Sequence, residues 1–152
     1  MDIDAKLADL GLTLPDAPAP AANYVPFVQS GAQLFVSGQI SSDQNGLILG
    51  KLGGTMDAAA GAKAAERCAL ALLAQLRAAL NGDMSRLVRV VKLTGFVNST
   101  PDFTDQPKVI NGASDLLVAL LGDKGRHARS AVSAASLPLG VAVEIEAIFE
   151  IA

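Results

Sequence analysis

One arginine and two glutamates stand in apolar strand-like runs, where burial in a sheet would not call for charge. Residues 127–152, HARSAVSAASLPLGVAVEIEAIFEIA, put Arg129 at the head of the apolar run SAV and embed Glu144 and Glu146 in VAVEIEAIF. A guanidinium taken out of water is costly unless paired, so Arg129 either stays at a rim or binds an anion. Its planar fork of donors suits a carboxylate, which it can meet with two parallel hydrogen bonds. Glu144 and Glu146 share one strand face, opposite Val143 and Ile145. That face is either solvated and paired with Lys or Arg of a neighbouring strand, or it presents a catalytic carboxylate. Spacing alone leaves both open.

Other chemistries find less support. His127 precedes Arg129 by two residues, so in a strand both face the same way; it is either a loop or surface residue or part of a site wall, with no partner in the sequence to make it a base. One His and one Cys cannot supply the usual nitrogen and sulfur ligand sets, and the acids are not clustered at ligand spacing, so no metal is expected. No serine lies in a G-x-S-x-G elbow. The glycines of LGKLGG lack the Lys-Ser/Thr of a phosphate loop and read as turn residues. Cys68 sits among Ala and Leu at helical spacing, reads as a small buried hydrophobe, and suits a reducing compartment.

The elements that must position these residues follow from periodicity. Residues 2–10 predict a short helix with Ile3, Leu7 and Leu10 on one stripe. Four of the seven prolines, Pro15, Pro18, Pro20 and Pro26, then enforce an extended lead-in. FVQSG and QLFVSGQI predict a hairpin turning at Gly31-Ala32, SSDQNG a polar turn, and LILGKLGG a third short strand or extended run. The strongest helical pattern spans 57–80, with Ala65, Ala69, Leu72, Leu73, Leu76 and Leu80 on one face, Thr55 or Asp57 as cap and Gly82 as stop. LVRVVKLTGFV predicts a central or half-buried strand, and 109–121 a second helix burying Leu116, Leu117 and Leu120 and ending at Gly122. SAVSAAS and VAVEIEAIFEI predict two closing strands. The result is an α+β layer, two helices over one face of a mixed sheet, whose other face needs a cover that one chain does not provide.

The whole chain agrees with a single domain over 1–152, of which 1–20 form an extension and lead-in. Its 152 residues, 51% hydrophobic, suffice for a core without staples. A net charge of −3, with no basic run or aromatic-basic interleaving, argues against nucleic acid as partner. The acidic, amphipathic start is not a secretory signal and no apolar stretch is long enough for a membrane span, so the expected location is cytoplasmic. Positive mean hydropathy with few aromatics suggests apolar surface covered by other subunits, a homo-oligomer.

ARSAV followed by LPLGVAVEIEAIF resembles the C-terminal signature of the RidA/YjgF (reactive intermediate deaminase) family, R-[ST]-x-V, a leucine-proline turn, then V-x-[IV]-E-x-E-A. Upstream, FVSGQI matches the family's S-G-Q strand end, Tyr24 stands thirteen residues before Ser37 as the family's site tyrosine does, and Asn111 in VINGASDLL sits where the family has an asparagine opening its second helix. The likeness covers about residues 20–152 in four ordered motifs. The N-terminal segment and the extra residues in TDQPK suggest a longer subgroup of about 150 residues, and Ala131 stands where many members carry cysteine.

The resemblance implies a chorismate-mutase-like fold, a cytoplasmic homotrimer with sites between subunits, and cofactor-independent hydrolysis of enamines and imines of the 2-aminoacrylate and 2-iminobutyrate type to 2-oxo acids and ammonia. It implies Arg129 as carboxylate clamp and Glu144 as the acid that orients and deprotonates water, with Glu146 structural or in the trimer interior. Tyr24, Ser37, Gly38, Asn111 and Ala131 would shape the substrate cleft. A trimer that binds small carboxylates or 2-oxo acids without turning them over is the alternative, since Arg129 serves both. An endoribonuclease or translation inhibitor, a label carried by some members, is a weaker third reading given the acidic balance and lone His.

Overall fold

The computed structural model describes residues 2–17, 19 and 22–152, so Pro18 and Pro20 of the lead-in lie outside the described residues. Three α-helices stand over one side of a five-stranded sheet. Helix α1 (Ile3–Asp9) is capped by Asp2, whose side chain accepts from the Ala5 amide, and buries Ile3 and Leu7. Leu10, expected on the same stripe, instead follows the helix and is 51% exposed. The sheet begins with the hairpin β1 (Phe27–Ser30) and β2 (Gln33–Ile40), which turns at Gly31 in the left-handed region, φ 61°.

LILGKLGG does not add a strand to this sheet. Its start joins a two-stranded ribbon, β3 (Ser42–Asp43) with β4 (Gly46–Leu47), and the rest makes only isolated bridges. Gly50 and Gly53 adopt φ of 151° and 81°, which interrupts regular pairing, while Leu52, fully buried, exchanges backbone hydrogen bonds with Asn98 and Thr100.

Helix α2 (Ala58–Ala79) is capped by Asp57, not Thr55, through its carboxylate and the Ala60 amide. At ~1.5 Å per residue it runs about 33 Å beneath the sheet. It ends where Asn81 and Gly82 take φ of 50° and 87°. Strand β5 (Leu87–Asn98) follows, then α3 (Gln106–Leu121), which starts three residues ahead of the expected 109 because Pro107 occupies its first turn. Strands β6 (Ala128–Ala134) and β7 (Val143–Ile151) close the chain. Strand β6 starts two residues before SAVSAAS, so Arg129 lies inside it.

The sheet order is β1-β2-β7-β5-β6, with β5 and β6 parallel and the other neighbours antiparallel. A parallel pair needs a crossover, and α3 supplies it. Helix α2 packs on β7 and β2, α3 on β6, β5 and α2, and α1 on α3, so the third helix joins the helix layer chiefly through α3. Helices α2 and α3 approach closely at Gly112, where a Cβ would run into the Ala62 carbonyl.

Alternation along β7 sorts the two sheet faces: Val143, Ile145, Ala147, Phe149 and Ile151 are buried under the helices, and Glu144, Glu146, Ile148 and Glu150 face away. In a single chain that second face is uncovered and carries apolar side chains, Val28, Phe35 and Val132 among them, each more than 40% exposed. Among the described residues, no helix is long and apolar enough to cross a membrane.

Candidate functional site

The pairing of β2 with β7 slips between Val36 and Gln39, so Ser37 and Gly38 together oppose the single residue Glu146. Such a bulge re-aims the chain at a sheet edge. Short β1 ends opposite Val36, and the edge beyond it is taken up by the lead-in: the Ser37 amide donates to the Pro26 carbonyl at 2.9 Å and the Ser37 hydroxyl to the Val25 carbonyl at 2.9 Å. These two bonds hold Tyr24 beside the bulge. A cleft of about 530 Å³ opens there, lined by Tyr24, Ser37, Gly38 and Glu144, with Leu139 and the α2 residue Gln75 in its walls.

Glu144 forms the charged part of that wall. Its carboxylate occupies the space a Cβ on Gly38 would need, so this position admits no side chain unless the acid moves. Burial, and then the neighbouring charge of Glu146, raise the Glu144 carboxyl above its ordinary range. Among the described residues no cation forms a salt bridge with it. A half-buried carboxyl with a raised pKa and no counter-ion is suited to exchange protons with a bound water nearer to neutrality.

Arg129 lies elsewhere. Across β5 it shares a row with Leu93 and Ala147, whose side chains point under the helices, whereas Glu144 shares a row with Phe96 and Val132 on the uncovered face. Arg129 reaches over α3, donating from Nη1 to the Ser114 hydroxyl at 3.0 Å and from Nη2 to the Pro107 carbonyl at 3.3 Å. Both partners are neutral, and no acid among the described residues forms a salt bridge with it. Asn111 stands on the same stripe of α3, between Pro107 and Ser114 at helical steps. Ala131 follows on the same face of β6 and packs against the core.

The seven predicted site residues therefore form two groups. Tyr24, Ser37 and Gly38 gather at the β2 bulge with Glu144 of the neighbouring strand β7; Asn111, Arg129 and Ala131 gather at the β6 edge. Glu144 itself is on the central strand β7, two strand spacings of ~4.8 Å, roughly 10 Å in all, from β6, and its side chain leaves the opposite sheet face from Arg129. Within one chain Arg129 and Glu144 therefore do not meet, in keeping with the expectation of a site shared between subunits and not with a site inside one protomer. Glu146 lies on the uncovered face in a shallow depression with Lys92, Thr94 and Phe35.

Sequence reasoning passed over two neighbours, Gln75 and Ser114, and gave His127 no partner. Gln75 is buried inside the apolar run of α2, and a polar residue at that period was a readable signal. Ser114 and His127 were not paired in the sequence because α3 and β6 bring them together: His127 Nε2 is 2.9 Å from the Ser114 hydroxyl, and Nδ1 is 2.6 Å from the Gly125 carbonyl. Burial, and more weakly the Arg129 charge, lower the His127 pKa, against the opposing Gly125 bond. Cys68 is buried with its thiol toward the Val143 carbonyl, and burial pushes its pKa upward, as expected of a packing residue. Among the described residues, no group of three or more His, Cys, Asp or Glu side chains is placed to hold a metal.

Residues 4–150 match the family described as "YjgF/chorismate mutase-like, putative endoribonuclease". Protein TCP17 of Trypanosoma cruzi is 51% identical over 151 residues, covering 98% of this chain and 94% of the relative. The crystal structure of Atu1372 from Agrobacterium tumefaciens, a protein of unknown function, superposes with a TM-score of 0.93 at 52% identity, covering 99% and 92% of the two chains. The structure of E. coli TdcF with bound serine has a TM-score of 0.61 at 26% identity, covering 90% and 94%. Match, motifs and fold agree: the chain belongs to the RidA/YjgF, chorismate-mutase-like family, in a form of about 150 residues.

Proposed function

We propose that this protein hydrolyses enamines and imines derived from amino acids, in sites built between copies of a cytoplasmic homotrimer. The observation that carries the reading is the division of the site. Among the described residues, an arginine bonded to neutral groups stands on the edge strand β6 and points under the helices, and a carboxyl of raised pKa without a salt-bridge partner stands on the central strand β7 and leaves the opposite face. Each lacks what the other offers a substrate. The uncovered apolar face between them supplies a surface on which copies can assemble.

In this reading Arg129 of one copy grips the substrate carboxylate with its remaining donors, and Asn111 and Ala131 flank it. The imine carbon then lies in the cleft of the next copy, beside Glu144. With the imine nitrogen protonated, Glu144 takes a proton from water as the oxygen bonds to that carbon, giving a neutral carbinolamine. Glu144 passes this proton to nitrogen and, as the carbon–nitrogen bond breaks, takes the hydroxyl proton, so that ammonia and a 2-oxo acid leave and the last proton goes to ammonia or solvent. Tyr24, Ser37 and the Gly38 backbone shape the pocket. Imines already react with water, so positioning and one base are sufficient help. Serine bound to TdcF supports an amino-acid-sized carboxylate as the ligand class.

With 2-iminobutyrate generated in place by an amino-acid oxidase, the wild type should speed ammonia release. Arg129→Ala should lower kcat/KM about 10²-fold or more, from the loss of two charge-assisted hydrogen bonds. Wild-type turnover in that variant would remove the clamp. Tight binding of 2-oxobutyrate with no rate enhancement would favour the non-catalytic carboxylate binder. Against the endoribonuclease label, both ring nitrogens of the single histidine are already engaged; RNA cleavage surviving Arg129 substitution would revive it.

A further inference from the structure

The clamp is itself held by a chain of side chains, Ser114 and His127, to which the motifs of the site assign no role. The Gly125 carbonyl can only accept, so His127 Nδ1, 2.6 Å away, carries a proton. In the neutral ring Nε2 is then an acceptor, and at 2.9 Å it takes the hydroxyl proton of Ser114. That orientation turns an oxygen lone pair of Ser114 toward Arg129 Nη1 at 3.0 Å. Burial and the Arg129 charge both hold His127 toward its neutral form, which the arrangement requires.

We propose that Ser114 and His127 are positioning residues for substrate binding: neutral His127 orients the Ser114 hydroxyl, and Ser114 with the Pro107 carbonyl fixes the rotation of the Arg129 guanidinium, leaving its other N–H groups aimed at a carboxylate. This rests on the clamp reading of Arg129. A serine–histidine pair held by a carbonyl also has the outline of a nucleophilic dyad. The bond from Arg129 argues against that use, since it takes one of the two lone pairs of the Ser114 oxygen and a cationic donor there draws electron density from a nucleophile. An arginine side chain has several rotatable bonds, and without two fixed acceptors on α3 each binding event would have to order it anew.

The protein has one histidine, so imidazole ¹⁵N spectra report His127 alone. The wild type should show a neutral ring protonated on Nδ1; a ring protonated on Nε2 overturns the proposal whatever Arg129 does. Ser114→Ala should raise KM for 2-iminobutyrate and Kd for 2-oxobutyrate about tenfold, the worth of one bond to a charged group, with kcat changed less than about twofold. His127→Phe should do the same. His127→Gln, whose amide oxygen can accept the Ser114 proton, should restore affinity to within about twofold of wild type. If Arg129→Ala abolishes 2-oxobutyrate binding while Ser114→Ala and His127→Phe bind normally, the clamp stands and the relay falls. If Arg129→Ala binds normally, the clamp reading fails and the relay with it. Covalent labelling of Ser114 by a fluorophosphonate would overturn the positioning role in favour of a nucleophile.

Discussion

Glu144 and Arg129 stood out in the sequence because charge inside an apolar run must be explained, and the structure finds both without a salt bridge to another side chain among the described residues. What each touches was not readable. The contact of Gly38 with the Glu144 carboxylate depends on a bulge, and the Arg129–Ser114–His127 chain depends on α3 lying over β6. At this scale the acid makes a pH-dependent prediction. Its pKa is raised first by burial and second by Glu146. Removing the second cause makes ionisation easier, so Glu146→Gln should move the acidic limb of the kcat/KM profile to lower pH while turnover persists. Burial remains in that variant, and the limb should stay above the ordinary 4.5 of a glutamate. Glu144→Gln should remove the limb and lower kcat about 10²–10⁴-fold, the usual worth of a general base. A profile unmoved by either change would assign the acidic limb to another group.

The elements were most readable where one period ran long. Helix α2 could be placed from its apolar stripe and capping Asp57, whereas LILGKLGG left a short strand and an extended run both open, because apolar residues with glycines fit a strand until positive-φ glycines break it. The start of α3 was missed because Pro107 reads as a breaker in sequence yet favours a first helical turn. The approach of α2 to α3 at Gly112 had no sequence signal beyond the glycine itself, and it makes a test in which two effects oppose. In an isolated helix Gly→Ala gains ~1 kcal/mol of propensity. Here the added methyl meets the Ala62 carbonyl, part of a backbone that cannot rotate away, and forcing extra atoms into such a contact costs about 1–3 kcal/mol. Gly112→Ala should therefore destabilise the protein in urea unfolding despite its better propensity. Since α3 also carries Pro107 and Ser114, the same change should weaken 2-oxobutyrate binding. A variant more stable than wild type would show that the two helices are free to move apart.

At the scale of the molecule, composition pointed to apolar surface in excess of what one chain can cover, and the structure locates it on the sheet face away from the helices. Strand order could not be read from sequence, and strand order with register is what sets Arg129 on the edge strand β6 and Glu144 on the central strand β7, on opposite faces. That separation decides between a site within one chain and a site between chains without any need for a structure of the assembly. Arg129→Ala retains Glu144, and Glu144→Gln retains Arg129. If each site takes its arginine from one copy and its carboxylate from the next, either variant alone is inactive. Unfolding the two together in equal amounts and refolding them should then restore activity, because some interfaces join an intact arginine to an intact glutamate. With random assembly each contribution is intact in half of the copies, so about one quarter of wild-type activity should return. Covering the sheet face is the precondition, so Val132→Asp on that face should yield a smaller species by light scattering and no recovery on mixing. If co-refolded variants remain as inactive as each alone while sizing shows mixed oligomers, the arginine and the glutamate do not act on the same substrate across an interface.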